Sequence, residues 1–101
     1  MAGLIYLTRH WDENRGDEFN HWGTSNWYFE TDLNGEVLRQ IEEYEIGVKI
    51  WYNLDKDEDK FGGLSQVPID LNDNEFIKIS ELEFNQKWLD AINQTIDDNA
   101  C

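Results

Sequence analysis

The chain contains one cysteine, Cys101, one proline, Pro68, and only eight basic side chains among its 101 residues. With a single cysteine no internal disulfide can form, so the expected compartment is the reducing cytoplasm. No stretch approaches the roughly 18 consecutive apolar residues of a membrane helix. Met1 to Leu7 is briefly apolar, but Arg9 follows that run instead of preceding it, so it is not read as a signal peptide. Neither a Gly-x-Ser-x-Gly turn nor a phosphate-cradling glycine loop occurs, and the only thiol is terminal. Nucleophilic and nucleotide chemistry are therefore not indicated, and the chain is read as a non-enzyme.

Acidic and aromatic side chains dominate what is present. Twenty-two acidic against eight basic side chains leave a net charge of −14. Such a field repels nucleic acid and anionic membranes and attracts basic partners. Mean hydropathy is low, −0.73, yet five Trp, five Phe and four Tyr supply enough large apolar surface for a small core. A length of 101 residues suits one domain, 1–101.

The central stretch, Asn26 to Tyr52, reads as three antiparallel strands. Trp27, Tyr28, Phe29 and Thr31 fit a pleated, half-buried surface, and Asn34-Gly35 tolerates the positive φ of a hairpin turn. Val37 to Tyr44 forms the second strand, with Val37, Arg39 and Ile41 expected on one face and Leu38, Gln40, Glu42 and Tyr44 on the other. Gly47 suits the left-handed position of a three-residue turn, leaving Glu45 and Ile46 at its tip, before Val48 to Tyr52 returns. Ile46 is unusual at an exposed turn, and so is a candidate contact residue.

Outside this meander, Leu4 to Thr8 reads as a covered strand. His10 to Gly23 reads as a long loop in which Trp11, Phe19 and Trp22 either pin the chain to the sheet or contribute to a binding surface. Asp55 to Lys60 is a solvated acidic loop, and Gly62-Gly63 permits a reversal. Ile69 to Ile79 is irregular or briefly extended. Ser80-Glu81-Leu82-Glu83 has the form of a capping box and starts a helix. Phe84, Trp88, Ala91 and Ile92, with Leu89 and Ile96 alongside, make its apolar stripe.

Asp70, Asn72, Asn74 and Glu81 have the oxygen spacing of a calcium loop, but Glu75 stands where a glycine must turn and no helix leads in. An Asx-rich turn feeding the capping box fits better. His10 and His21 are joined by a glycine-containing loop that fixes no ligand geometry. No metal or cofactor is assigned. Glu42 and Glu43 are adjacent on a strand, so they point to opposite faces and cannot serve one substrate.

The run Trp27-Tyr28-Phe29-Glu30-x-Asp32-x-x-Gly35-x-x-Leu38-Arg39-Gln40-Ile41-Glu42-x-Tyr44, followed by Gly47, Gly62-Gly63-Leu64-Ser65, Pro68 and Ile79-Ser80-x-x-Glu83-Phe84-x-x-x-Trp88, resembles an uncharacterised family of small acidic bacterial proteins. That family is similar to the immunity proteins encoded beside polymorphic or contact-dependent toxins. The resemblance covers roughly residues 22 to 90, and this chain departs from it at Glu45-Ile46-Gly47, where a more polar turn is usual. It implies a fold and a role in toxin inhibition, and carries no functional residue across.

The resulting expectation is an α+β domain with an about four-stranded, mostly antiparallel sheet and one C-terminal helix packed on one face. Its expected function is that of an acidic inhibitor or immunity protein, monomeric or weakly dimeric, that neutralises a basic toxin such as a nuclease. The expected contacts are Glu43, Glu45, Asp55, Asp57, Glu58 and Asp59 for charge, with Ile46 and Trp51 as anchors. Two alternatives stand beside it: a nucleic-acid-mimicking inhibitor of a defence or regulatory complex, and a small ligand- or metal-binding module.

Overall fold

Alternating side chains that are apolar on both faces require a sheet covered twice, and the chain builds one. A computed structural model describes residues 3–94. Strands β1 (Ile5–Trp11), β2 (Ser25–Thr31), β3 (Val37–Tyr44), β4 (Lys49–Asn53) and β7 (Ile77–Lys78) pair antiparallel in the order β4-β3-β2-β1-β7. The short strands β5 (Glu58–Asp59) and β6 (Gly62–Gly63) form a separate ribbon. A 3-10 turn spans Asn20–Trp22, and helix α1 (Glu81–Asn93) closes the described chain.

The fold is thus α+β, with five strands in the sheet where about four were expected. The added strand is β7, whose two residues pair with Leu7 and Thr8 of β1. Too short to carry any periodicity, it is recognised only through its partner. The apolar start of β1, Ile5 to Leu7, consequently lies in a strand with a neighbour on each side, and the strand runs on to Trp11 beyond the expected Thr8.

Both central turns follow their local chemistry. Between β2 and β3, Asp32 Oδ1 accepts from the amides of Asn34 (2.8 Å) and Glu36 (3.0 Å), and Gly35 takes φ +85°. Between β3 and β4, the Gly47 amide donates to the Tyr44 carbonyl at 2.8 Å, with Gly47 at φ +98°. Helix α1 starts at Ser80, whose Oγ accepts from the Glu83 amide at 3.0 Å. That satisfies one of the amides that a helix start leaves without an intrahelical partner.

One expected face assignment is overturned. Thr31 pairs with Val37 while Glu30 pairs with Arg39, so Leu38 is an extra residue in a β-bulge. Such an insertion reverses the alternation locally. Val37 therefore joins the face opposite to Arg39 and Ile41, as a member of the core cluster that contains Phe29, Tyr44 and Tyr52.

The helix covers one face of the sheet. Phe84, fully buried, and Ala91 pack with Tyr6, Tyr28 and Ile41, and Trp88 meets Trp51 edge-on at 5.3 Å. Leu89, expected in the stripe, is exposed, and Ile96 lies outside the described residues. A polar clamp accompanies this layer. Arg39 grips Glu30 through Nε–Oε1 (2.8 Å) and Nη2–Oε2 (2.7 Å), and also donates to Asn85 Oδ1 at 3.0 Å. Its guanidinium lies over the rings of Phe84 and Trp88.

Loops and the β5–β6 ribbon cover the other face. Trp22, Phe29, Tyr44, Tyr52, Phe61 and Leu64 form its core. Phe19 and Trp22 meet at a tilt with ring centroids 4.6 Å apart, and both reach Phe61. These two aromatics therefore pin the long loop to the sheet.

Candidate functional site

Beside this second core the sheet carries polar side chains in its interior. Gln40, Glu42 and Tyr44 alternate on β3 toward the loop-covered face, and all three are buried. Tyr44 Oη donates to Glu42 Oε1 at 2.5 Å, while Gln40 Nε2 donates to Glu42 Oε2 at 2.9 Å. Gln40 Oε1 accepts from the Ser65 amide at 2.9 Å, tying this network to the chain after β6.

Arg15 completes the arrangement from the loop. Its Nη1 donates to Tyr44 Oη at 3.0 Å and lies 3.8 Å from Glu42 Oε1. Its Nε and Nη2 hold Asp17, and Nη2 also donates to the Phe61 carbonyl. Burial pushes the Glu42 carboxyl above its ordinary value, against the opposing pull of its Tyr44 and Gln40 donors and of Arg15. Burial and the neighbouring Glu42 charge likewise push up the Tyr44 phenol.

Arg15, Asp17, Glu42 and Tyr44 line a cleft of ≈ 420 Å³. Trp11 from the end of β1 and Trp27 from β2 line it, with ring centroids 5.5 Å apart, and Trp27 Nε1 donates to Ser25 Oγ at 2.7 Å. Glu13 stands on its rim, exposed, and forms no hydrogen bond or ion pair among the described residues. Trp11 and Trp27 also border a neighbouring cleft of ≈ 260 Å³, whose other walls include Phe29, Val67, Ile69 and Phe76. The two indoles thus stand between a polar and an apolar depression.

The expected contact residues fall in three places. Glu43 and Glu45 line a third depression of ≈ 350 Å³ with Thr24, Asn26 and Lys49. Glu43 turns toward the helix, where Lys87 Nζ lies 3.4 Å from its Oε2, so it and Glu42 do face opposite ways. Ile46 is exposed at the tip of the β3–β4 turn. Trp51 is half-buried against Trp88 and carries Lys56 Nζ at 4.0 Å from its ring centroid.

Asp55, Asp57 and Glu58 are exposed beyond the far end of β4. Asp59 turns inward instead. It accepts from Tyr52 Oη and the Phe61 amide, each at 2.8 Å, and pairs with Lys56. At about 3.3 Å per strand residue, the length of β4 separates the Glu45–Ile46 turn from the acidic loop by roughly 17 Å.

The sequence pattern does not mark Arg15, Tyr44 or Trp27 as site residues, and Glu42 enters it only as the neighbour of Glu43. Arg15 lies in a polar, aperiodic loop, and the burial of Glu42 depends on chain some twenty residues away, as in the Gln40–Gly63 contact. The only forewarning was the alternation that sets Gln40, Glu42 and Tyr44 on one face.

The calcium-like segment is a pair of Asx turns: Asp70 Oδ1 accepts from the Asn72 amide and Asp73 Oδ1 from the Glu75 amide, each at 2.9 Å. Among the described residues no three His, Cys, Asp or Glu side chains converge as a metal site would need, and no helix is long and apolar enough to cross a membrane. Comparison with protein-family models, with curated proteins and with solved structures finds no match to this chain.

Proposed function

We propose that the chain is a non-enzymatic acidic binding module that neutralises a basic protein, with a nuclease-type toxin as the preferred target. One observation supports this above the others. At least five of the eight basic side chains, Arg9, Arg15, Arg39, Lys56 and Lys87, close on carboxylates of the chain itself. Glu13, Glu45, Asp55, Asp57 and Glu58 have no cationic partner among the described residues. The internal pairs hold the scaffold together while the excess negative charge is carried at the surface. Charge arranged this way steers a cationic partner and accelerates encounter, reaching about 10⁸–10⁹ M⁻¹s⁻¹ at low salt.

The test is co-expression with the basic protein encoded beside this gene, joined to binding measured across a salt series. Protection from toxicity, together with association that slows steeply with salt, is expected. The triple change Asp55→Lys, Asp57→Lys and Glu58→Lys should weaken that association. Binding that ignores salt, or the absence of any basic partner in the native host, overturns the proposal.

A further inference from the structure

Surface charge explains steering but not where a partner would anchor, and the depressions differ in what they can hold. The one between Trp11, Trp27 and strand β3 combines aromatic rings with carboxylates. Among the described residues that line it Arg15 is the only cation, and that guanidinium is already engaged by Asp17, Tyr44 and the Phe61 carbonyl. Both oxygens of Glu42 already accept from Tyr44 and Gln40, which leaves Glu13 on the rim as the lining carboxylate without a donor among the described residues.

We propose that this cleft receives a guanidinium side chain of a basic partner, stacked against Trp11 and Trp27 with its N–H groups directed at Glu13. The proposal rests on the reading of the chain as a binder of basic proteins. A guanidinium is favoured over an ammonium because its plane stacks on aromatic faces and its donors form a fork toward carboxylates. The protein itself contains the same contact: the Arg9 guanidinium lies 4.1 Å from the Trp11 ring centroid and 2.7 Å from Glu75 Oε2. Aromatic pockets that take an arginine are a recurrent form of interface anchor. The apolar cleft across the indole pair places a hydrophobic side chain of the partner next to that arginine.

The experiment titrates the full chain with N-acetyl-arginine amide and, separately, with the neutral isostere N-acetyl-citrulline amide, following the tryptophan indole N–H signals by NMR. Trp22 in the core, and Trp51 and Trp88 across the sheet, act as internal controls. A saturable response of Trp11 and Trp27 to the arginine probe alone is expected. Glu13→Gln, a change at an exposed side chain, should weaken it about two- to fivefold, the scale of an exposed charge contact. Trp11→Ala should abolish it while the Trp22 signal shows the fold intact.

An equal response to citrulline, a response centred on Trp51 and Trp88, or indifference to Glu13→Gln overturns the cleft. Salt-sensitive capture of a basic protein with Trp11 and Trp27 unmoved overturns the cleft alone and leaves the broader reading standing. An arginine response without any basic partner supports the cleft and overturns the broader reading.

Discussion

Gly35 offers the sharpest test of how the loop-covered face is assembled. It sits in the β2–β3 turn at φ +85°, and its carbonyl accepts from the Ile69 amide at 2.9 Å. A Cβ at this position would lie 2.2 Å from the Ile69 carbonyl oxygen, which is backbone and has no rotamer to escape into. Gly35→Ala therefore carries two penalties. The left-handed conformation costs an L residue about 1–2 kcal/mol. Relieving the contact means pushing the Ile69 backbone back by about 1 Å, which breaks a hydrogen bond worth about 1 kcal/mol.

The expected loss is about 3 kcal/mol, which for a domain of this size lowers Tm by roughly 12–20 °C. Gly47→Ala is the matched control: φ is +98°, but no atom lies within 4 Å of the added carbon. It should show only the conformational penalty, a Tm decrease of roughly 5–10 °C. Thermal and urea unfolding by circular dichroism would measure both. Equal destabilisation of the two variants would refute the close approach of the 68–70 segment to the β2–β3 turn.

Other perturbations test the two layers separately. Arg39→Leu strands the buried Glu30 carboxylate and should cost about 3 kcal/mol; the double change Glu30→Leu, Arg39→Leu should cost clearly less than the two single changes added together, as urea titrations of all three variants would show. Phe84→Ala empties the centre of the helix layer, where the ring is fully buried, and should cost about 3–5 kcal/mol in the same assay.

The pH dependence of stability should have two limbs. Glu42 is pushed above the ordinary glutamate value of 4.5 by burial, so its contribution is complete below that value and is lost as pH rises through its folded value. For Glu30 burial acts upward too, but the Arg39 hydrogen bonds and charge outweigh it and hold the group below 4.5; its contribution is present above 4.5 and is lost as pH falls through the folded value. Tm measured from pH 8 to pH 3 should therefore rise on mild acidification and then fall, and Glu42→Gln should flatten the rise. A monotonic decline from neutral pH in the unmodified chain would contradict the assignment to Glu42.

How much could be read in advance follows from the range of each signal. The turn at Asn34-Gly35, the left-handed Gly47 and the Ser80 cap are local, written in a few adjacent residues, and all three appear where expected. The helix and the three-stranded meander have enough length to show periodicity. Strand β7 and the β5–β6 ribbon are two residues each, below the length at which alternation carries information. The bulge at Leu38 is invisible for a related reason: it is defined by the register of β2 against β3, and Val37 changes face without any local cue.

The cleft was hidden most deeply. Trp11 stood out as an aromatic in a polar loop, but its partner Trp27 looked like one more strand residue. Arg15 looked like an exposed loop cation before Tyr44 and the Phe61 carbonyl came within reach. Asp59, by contrast, looked like one member of an acidic run, and is distinguished from Asp57 only by Tyr52 Oη and the Phe61 amide.

The two faces of the sheet divide the protein's work in a way that bears on where a partner can bind. On the helix face, apolar burial and a two-point Arg39–Glu30 grip leave a closed layer whose polar groups are matched within it. The opposite face is assembled from a loop, a 3-10 turn and a two-residue ribbon, and it buries the carboxyl of Glu42, whose ionised form is penalised there. An apolar residue at position 42 would relieve that penalty, but would leave the Gln40 amide and the Tyr44 hydroxyl short of an acceptor. The carboxylate is therefore needed by the network that positions Tyr44 and Arg15, and it destabilises the face in which it sits. Two half-exposed tryptophans and Glu13, which has no partner among the described residues, border this same place. This connected polar network stands beside an open cleft on the side of the sheet that the helix leaves uncovered, which is where the proposed contact with a basic partner is placed.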